Sequence, residues 1–224
     1  MLRRLLIAAV GALAFVSLSH AETATIGSTK VELPQPPGYC ALDVANASDA
    51  RLKSLLTEMI AKGGNVLLGH HVDCKQLDAW RKGSGKLLDD FVQYQSRNVD
   101  VPFGAAEVST TCKDLQQAGQ ILAESAVKTV QPIYEAASKS IRLNEMKIIS
   151  ATPVQDGTCY VSMLQRLRTE YGTEKTQLCV FSVHSVRDKL VFYYLFTLYT
   201  PGMDVAAAIE RHKAHAKALQ AANR

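Results

Sequence analysis

No Cys-x-x-Cys pair occurs in this chain, and no Gly-x-Ser-x-Gly. The first absence removes the usual thiol-oxidoreductase signature, the second the nucleophile elbow. A phosphate-binding loop is missing too. Arg81-Lys82-Gly83-Ser84-Gly85-Lys86 comes nearest, but its first glycine is misplaced and Leu87 stands where a hydroxyl residue belongs. It reads as a solvated basic loop. No repeat, low-complexity tract or linker divides the chain, and no apolar run beyond the first 20 residues is long enough to span a membrane. Charge of either sign is not in excess, with 25 basic against 21 acidic residues. That balance is no electrostatic footprint for nucleic acid.

What is present begins with the first residues. Met1-Leu2-Arg3-Arg4 precedes an apolar run from Leu5 to Leu18 and then Ser19-His20-Ala21. A charged start, a short apolar core and small residues at the cut make a secretory signal peptide over residues 1–21, cleaved after Ala21. The run is shorter than the roughly 20 residues of a spanning helix. No cysteine follows the cut, which argues against a lipid anchor. The remaining chain, Glu22–Arg224, is one domain of 203 residues carrying 23 basic and 21 acidic groups. It is large enough to bury a core without staples. The expected location is the periplasm.

All five cysteines lie beyond the cut: Cys40, Cys74, Cys112, Cys159 and Cys179. Export permits disulfides, and an odd count leaves one thiol over. Cys40 and Cys74 each follow a short strand in turn-like context and are the expected bridge. Closing a loop of that length stabilises by about 3 kcal/mol. Cys159 with Cys179 is a second candidate, although their offsets from the Tyr171–Glu174 turn do not set them opposite each other. Cys112, on the apolar face of a helix, is expected to be the buried free thiol.

Three extended runs dominate the second half: Cys159–Arg168, Gln177–Val186 and Leu190–Tyr199. The third has Phe192, Tyr194, Phe196 and Leu198 on one side and Tyr193, Leu195, Thr197 and Tyr199 on the other. A strand apolar on both sides is central and covered twice. A two-residue turn at Arg187-Asp188 sets Phe181 opposite Tyr194 and Val183 opposite Phe192.

Upstream, Glu22–Ser28 is a polar lead and Lys30–Leu33 a strand ended by Pro34-Gln35-Pro36-Pro37-Gly38. Asp49–Lys62 is a helix capped by Ser48, with Leu52, Leu55, Leu56, Met59 and Ile60 as its stripe. Asn65–Val72 is a strand, Asp73 caps a short helix to Trp80, and Phe91–Ser96 is another strand. A long helix, Glu107–Val130, carries Val108, Cys112, Leu115, Gly119, Leu122, Ala126 and Val130 at helical spacing, and Pro132 ends or kinks it. Ile141–Thr152 is a strand interrupted near Asn144-Glu145. Asp204–Ala222 is a terminal helix with Val205, Ile209, His212, Ala216 and Leu219 inward.

This order is α+β: a mostly antiparallel sheet with a C-terminal meander and helices packed on its faces. With its Val31-Glu32-Leu33-Pro34 opening, its meander and its closing helix, the chain resembles the PsbP-like fold group. That resemblance implies a central antiparallel sheet between helices and a non-catalytic accessory or assembly role.

Candidate chemistry gathers at Gly69-His70-His71-Val72-Asp73-Cys74. Imidazole and carboxylate are metal ligands, but adjacent histidines on a strand face opposite ways. His212 and His215, three apart on a helix, are near neighbours without a third ligand, so His212 is expected partly buried and His215 exposed. There is no cofactor signature. The residues fit best an exported, non-catalytic binding or accessory protein of the bacterial envelope. Such a protein would engage a protein or envelope component through the sheet ends or the long helix. Two alternatives stand beside it. One is a periplasmic metal-dependent or hydrolytic enzyme built on His70, His71 and Asp73 with His184. The other is a small-ligand carrier with a pocket between the aromatic sheet face and the Glu107–Val130 helix.

Overall fold

A computed structural model describes residues 21–83, 88–137, 141–169 and 174–224. The leader, the Ser84–Leu87 stretch of the basic loop and most of the Tyr171–Glu174 turn lie outside the described residues. In chain order the elements are β1 (Glu22–Ile26), β2 (Thr29–Leu33), β3 (Tyr39–Ala41), α1 (Ala47–Lys62), β4 (Asn65–Asp73), α2 (Cys74–Arg81) and β5 (Phe91–Arg97). They continue with α3 (Ala105–Ala137), β6 (Ile141–Ala151), β7 (Cys159–Thr169), β8 (Glu174–Val186), β9 (Lys189–Leu198) and α4 (Val205–Ala222). Seven strands form one antiparallel sheet in the order β3-β4-β5-β9-β8-β7-β6, and β1 pairs with β2 in a separate hairpin. The fold is α+β, with the C-terminal strands in meander order.

The sequence explains the sheet's centre. Arg187 and Asp188 both take positive φ, 49° and 58°, the geometry that a two-residue hairpin turn needs to match strand twist. The turn sets Phe181 against Tyr194 and Val183 against Phe192. β9 lies fourth of the seven strands, between β5 and β8. Its Tyr194 face, joined by Cys179 and Phe181 of β8, packs on Val108, Cys112 and Leu115 of α3. Its Tyr193 face, with Val92 and Tyr94 of β5, packs on Ala216 and Leu219 of α4 and on Ile26, Val31 and Leu33 of the hairpin. The polar lead thus contains a strand, β1, whose alternate residues close the second layer. The hairpin turn sits so close to Asp100 that a Cβ on Gly27 would stand 2.0 Å from its carboxylate. Only glycine fits there.

Several boundaries differ from the sequence reading, each for a local reason. α1 is capped by Asn46, not Ser48. The Asn46 side chain accepts from the Ser48 and Asp49 amides at 3.0 and 3.3 Å. Asp49 turns inward, accepts the Asp43 amide at 2.8 Å and pairs with Arg81 of α2. This pair joins the two helices beside Val72 and Leu77. α3 runs through Pro132 to Ala137. Its buried side shifts after Gly119 from the expected Leu122, 46% exposed, to Ala123, 5% exposed. β6, an edge strand, slips register between Leu143 and Glu145 and again between Ile148 and Ser150. Two of its amides are taken by α3: Leu143 donates to Gln131 Oε1 at 2.8 Å and Ile148 to Gln120 Oε1 at 3.2 Å. Bulges and side-chain caps of this kind blunt an edge against further pairing.

Cys40 is bonded to Cys74, with Cα atoms 5.0 Å apart. The second bridge is Cys112–Cys159, not Cys159–Cys179, and the buried free thiol is Cys179 rather than Cys112. Register supplies the reason. Met163, not Cys159, stands opposite Cys179, while α3 crosses the sheet so that Cys112 meets Cys159.

Removing the Asp49 carboxylate by Asp49→Ala leaves the Arg81 guanidinium and the Asp43 amide without their acceptor. The expected loss is about 2–4 kcal/mol, measured as unfolding free energy in urea. Removing the exposed Glu210 partner of Lys213 costs well under about 1 kcal/mol by the same measure.

Candidate functional site

The residues singled out for chemistry do not converge. His70 and His71 point to opposite faces of β4, as adjacent strand residues must. His70 lies beside Phe91, ring centroids 5.2 Å apart, and His71 beside Tyr94 at 6.0 Å. Both are buried, at 5% and 0% exposure. Asp73 caps α2, its carboxylate accepting the Gln76 amide at 2.9 Å. Cys74 is in a disulfide. Among the described residues, no three of His, Cys, Asp or Glu are grouped to hold a metal ion.

The structure instead assembles a polar seam beneath α4. Val180, Ser182 and His184 share the α4 side of β8. The Ser182 hydroxyl lies 2.6 Å from His184 Nε2 and 2.8 Å from His212 Nε2. All three side chains are fully buried. A neutral imidazole has one N–H and a serine one O–H. Ser182 has no other acceptor among the described residues, so it donates to one ring and accepts from the other. One histidine therefore carries its proton on Nε2 and the other on Nδ1. Neither Nδ1 meets a partner among the described residues.

Aromatic rings wall this seam and polar groups lead out of it. Tyr193 stacks on His212 at 4.7 Å, and Tyr160 meets it edge-on at 5.9 Å. The Tyr193 hydroxyl reaches His215 Nδ1 at 2.9 Å, so His215 is half-buried, whereas it was expected exposed, and His212 is wholly rather than partly buried. At the rim, Asp90 accepts from the Tyr39 hydroxyl at 2.5 Å and from Thr197 at 3.3 Å, and pairs with Arg211 at 3.5 Å.

Burial governs the electrostatics. It pushes His184 down to about 4. It holds His212 well below the ordinary imidazole value, helped by the charges that His184 and His215 would carry. Burial, then His71 and Lys53, pushes His70 down to about 3. Burial and Lys53 push His71 down to about 4. Glu22 lies 4.0 Å from His71 but is only half-buried and is paired with Lys53, so its pull on the ring is offset. The Tyr39 phenol is raised by burial and by its bond to Asp90.

His184 enters the sequence reading only as an adjunct to the His70, His71 and Asp73 cluster, and Ser182 does not enter it at all. The available signal was period two: serine and histidine on one side of an otherwise apolar buried strand, with His212 on the inward stripe of a helix. The space reserved for a ligand between α3 and the aromatic sheet face is packed by Val108, Cys112, Leu115, Phe181 and Tyr194. Concave surface lies elsewhere. One groove of about 300 Å³ runs between the β1–β2 turn and the ends of β4 and β5, lined by Ile26, Val66, Leu68, Arg97 and Val99. Another of about 280 Å³ lies on β6–β8 between Lys147, Leu164, Arg166 and Tyr199.

No protein-family model matches the sequence, and a comparison with curated proteins finds no match. Among solved structures, the chain is similar to cyanobacterial PsbP from Synechocystis sp. PCC 6803, at 17% identity over 95% of each chain, TM-score 0.40. It is also similar to the Ran-binding protein Mog1p of Saccharomyces cerevisiae, at 10% identity over 92% of this chain and 93% of that one, TM-score 0.34. A single-substitution variant of Mog1 gives 11% identity, 91% and 93% coverage, and TM-score 0.33. The first of these belongs to the group that the element order resembles. Similarity of this size carries no argument about a site.

A histidine whose affinity for protons is lower folded than unfolded withdraws stability as pH falls. The contribution is complete above the unfolded value of 6.5 and shrinks down to the folded value. Each such ring removes up to about 1.4 kcal/mol per pH unit in that window. With four buried rings, unfolding free energy in urea is expected to be flat between pH 6.5 and about pH 8, below the range in which the unfolded chain's thiol ionises. It should then fall more steeply than one group allows between pH 6 and pH 4.5. A flat profile down to pH 4.5 would contradict the burial described.

Proposed function

We propose that this chain is an exported, non-catalytic accessory protein of the bacterial envelope whose partner docks on its exposed surface. The observation that carries this reading is the division of chemistry between inside and outside. His70, His71, His184, His212 and Cys179 are at most 5% exposed, and the other four cysteines are bridged. Among the apolar side chains on the outside, two groups bear on docking. Ile121 and Leu122, on α3, are 71% and 46% exposed. Val66, Val99 and Val101, at or near the first groove, are 36%, 54% and 54% exposed. The long helix and the sheet ends are thus the available docking surfaces, and rimmed apolar patches mark interaction sites. Two disulfides are compatible with an oxidising compartment, and no helix among the described residues is long and apolar enough to cross a membrane.

The test has two arms. Protein expressed with its own leader is recovered from a bacterial periplasm and weighed intact under native conditions. The expected mass is that of Glu22–Arg224 less the four hydrogens of two disulfides. A stoichiometric extra mass lost on denaturation would overturn the non-catalytic, ligand-free reading. In the second arm, envelope proteins crosslinked to the wild-type chain are compared with those crosslinked to Ile121→Asp/Leu122→Asp and Val66→Asp/Val99→Asp. At least one pair is expected to lose a defined partner while its thermal midpoint stays within about 4 °C of wild type, since exposed substitutions cost little. Retention of every partner by both pairs would sink the proposed surfaces.

A further inference from the structure

We propose that α4 is an acid-released cover: protonation of His184 and His212 undocks Val205–Ala222 from the sheet while the opposite layer stays folded. This goes beyond the accessory role and does not depend on it.

The two layers are held in different ways. α3 is tied to β7 by Cys112–Cys159, and Cys40–Cys74 joins β3 to the start of α2. Neither disulfide touches α4. The fully buried residues of α4 are Ala208, His212, Ala216 and Leu219. Two alanines and one leucine supply little apolar area. Val205 and Ile209, half-buried, add apolar contact to Leu178 and Val180 at the start of the helix. From Arg211 onward much of the docking is polar: His212 to Ser182, His215 to Tyr193, Arg211 to Asp90, and the Asn223 side chain to the Glu32 backbone at 2.8 Å.

A proton added to either ring of the seam puts a second N–H and a full charge into a space with one hydroxyl and no acid. Its surroundings, element by element, do not compensate. β7 presents Tyr160, β9 Tyr193, β5 Tyr94 and β3 Tyr39. α4 itself adds Arg211, Lys213 and His215, with Lys213 Nζ 5.6 Å from the Tyr160 ring centre. β4 adds only His71, beside Tyr94. The acids are at the rim: Asp90 is engaged by Tyr39, Thr197 and Arg211, Glu210 by Lys213, Glu32 of β2 by Thr23, and Asp156 lies in the turn before β7, where Gln220 reaches its carbonyl. Undocking lets both imidazoles reach water. Burial keeps both rings neutral near pH 7, so the closed form is favoured above pH 6.5 and lost as pH falls below it. What opens is an apolar sheet face of Leu178, Val180 and Leu195, each at most 1% exposed when covered.

Amide hydrogen exchange on the oxidised full-length chain tests this, with rates corrected for intrinsic pH dependence. One proton taken up on opening gives a tenfold rise in the opening constant per pH unit, and two give a hundredfold rise. The expected result is a rise between these limits for residues 205–222 below pH 6.5, while residues 105–123 and 159–169, which open only with the whole fold, stay better protected than 205–222 at every pH. In His184→Asn/His212→Asn the rise is expected to vanish. If that variant does not fold at pH 7, the histidine ring signals of the wild-type chain replace it. His184 and His212 must then titrate together with the loss of α4 amide signals. Equal protection of α3 and α4 below pH 6.5 would overturn the proposal, as would pH-independent α4 protection down to pH 4. A rise that persists in the double variant, or one abolished by His215→Gln alone, would also overturn it.

Discussion

A strand that is apolar on both sides must be covered twice, and β9 imposes that requirement on everything around it. Tyr193 and Leu195 lie on one face, Phe192, Tyr194 and Phe196 on the other. Leaving either face wet would expose several large side chains, each worth about 1.5–3 kcal/mol on burial. The rest of the chain supplies the two covers. α1, α2 and α3 form one, and α4 with the β1–β2 hairpin forms the other. The tight Arg187-Asp188 turn makes this demand specific. Because side chains alternate, a one-residue slip would send Phe181 and Val183 to the α4 side and the serine and histidine of the seam to the α3 side.

The covers differ in kind. On the α3 side the contact is apolar and covalently pinned, with valine, leucine and a disulfide meeting valine, methionine and phenylalanine. On the α4 side the helix comes close because its inward residues are small, and a hydrogen-bonded histidine sits where the packing would otherwise be featureless. The same molecule thus has one layer held by apolar packing and a covalent tie and another whose attachment depends on a neutral ring. Stability spread unevenly in this way confines motion to the elements with least buried apolar area.

Local rules made the second half of the chain legible. Period-two alternation located the meander and its register, and a proline-rich stop and a glycine pair located the ends of β2 and α1. Asp73 announced the cap of α2. Long-range pairings were hidden. No spacing shows that α3 crosses β7 at Cys159, so the second disulfide and the identity of the free thiol were misread. Asn46 took the cap from Ser48 because Asp49, needed by Arg81, turns inward. β1 was unreadable since its five residues gain a partner only through the hairpin turn. The candidate site was the least legible part. Residues adjacent in sequence, His70 and His71, are held apart by strand geometry, whereas His184 and His212 become neighbours only when α4 folds over β8.

Retaining three polar groups in that position is costly, because each buried polar atom without a partner forfeits its hydration. Two well-packed apolar residues would hold α4 more tightly. Specificity is the compensating gain. A helix whose buried stripe is alanine, alanine and leucine fits a smooth sheet face in several rotations and offsets, since small residues distinguish poorly between them. The Ser182 hydroxyl accepts only one placement of His212, and a shift of one turn, 5.4 Å, would strand the His212 ring without that partner. Stacking of Tyr193 on His212, with its hydroxyl on His215 one turn further along, fixes the rotation as well. The hydrogen bonds select the docked geometry more than they strengthen it. A contact chosen for placement rather than strength is also one that a single proton can undo.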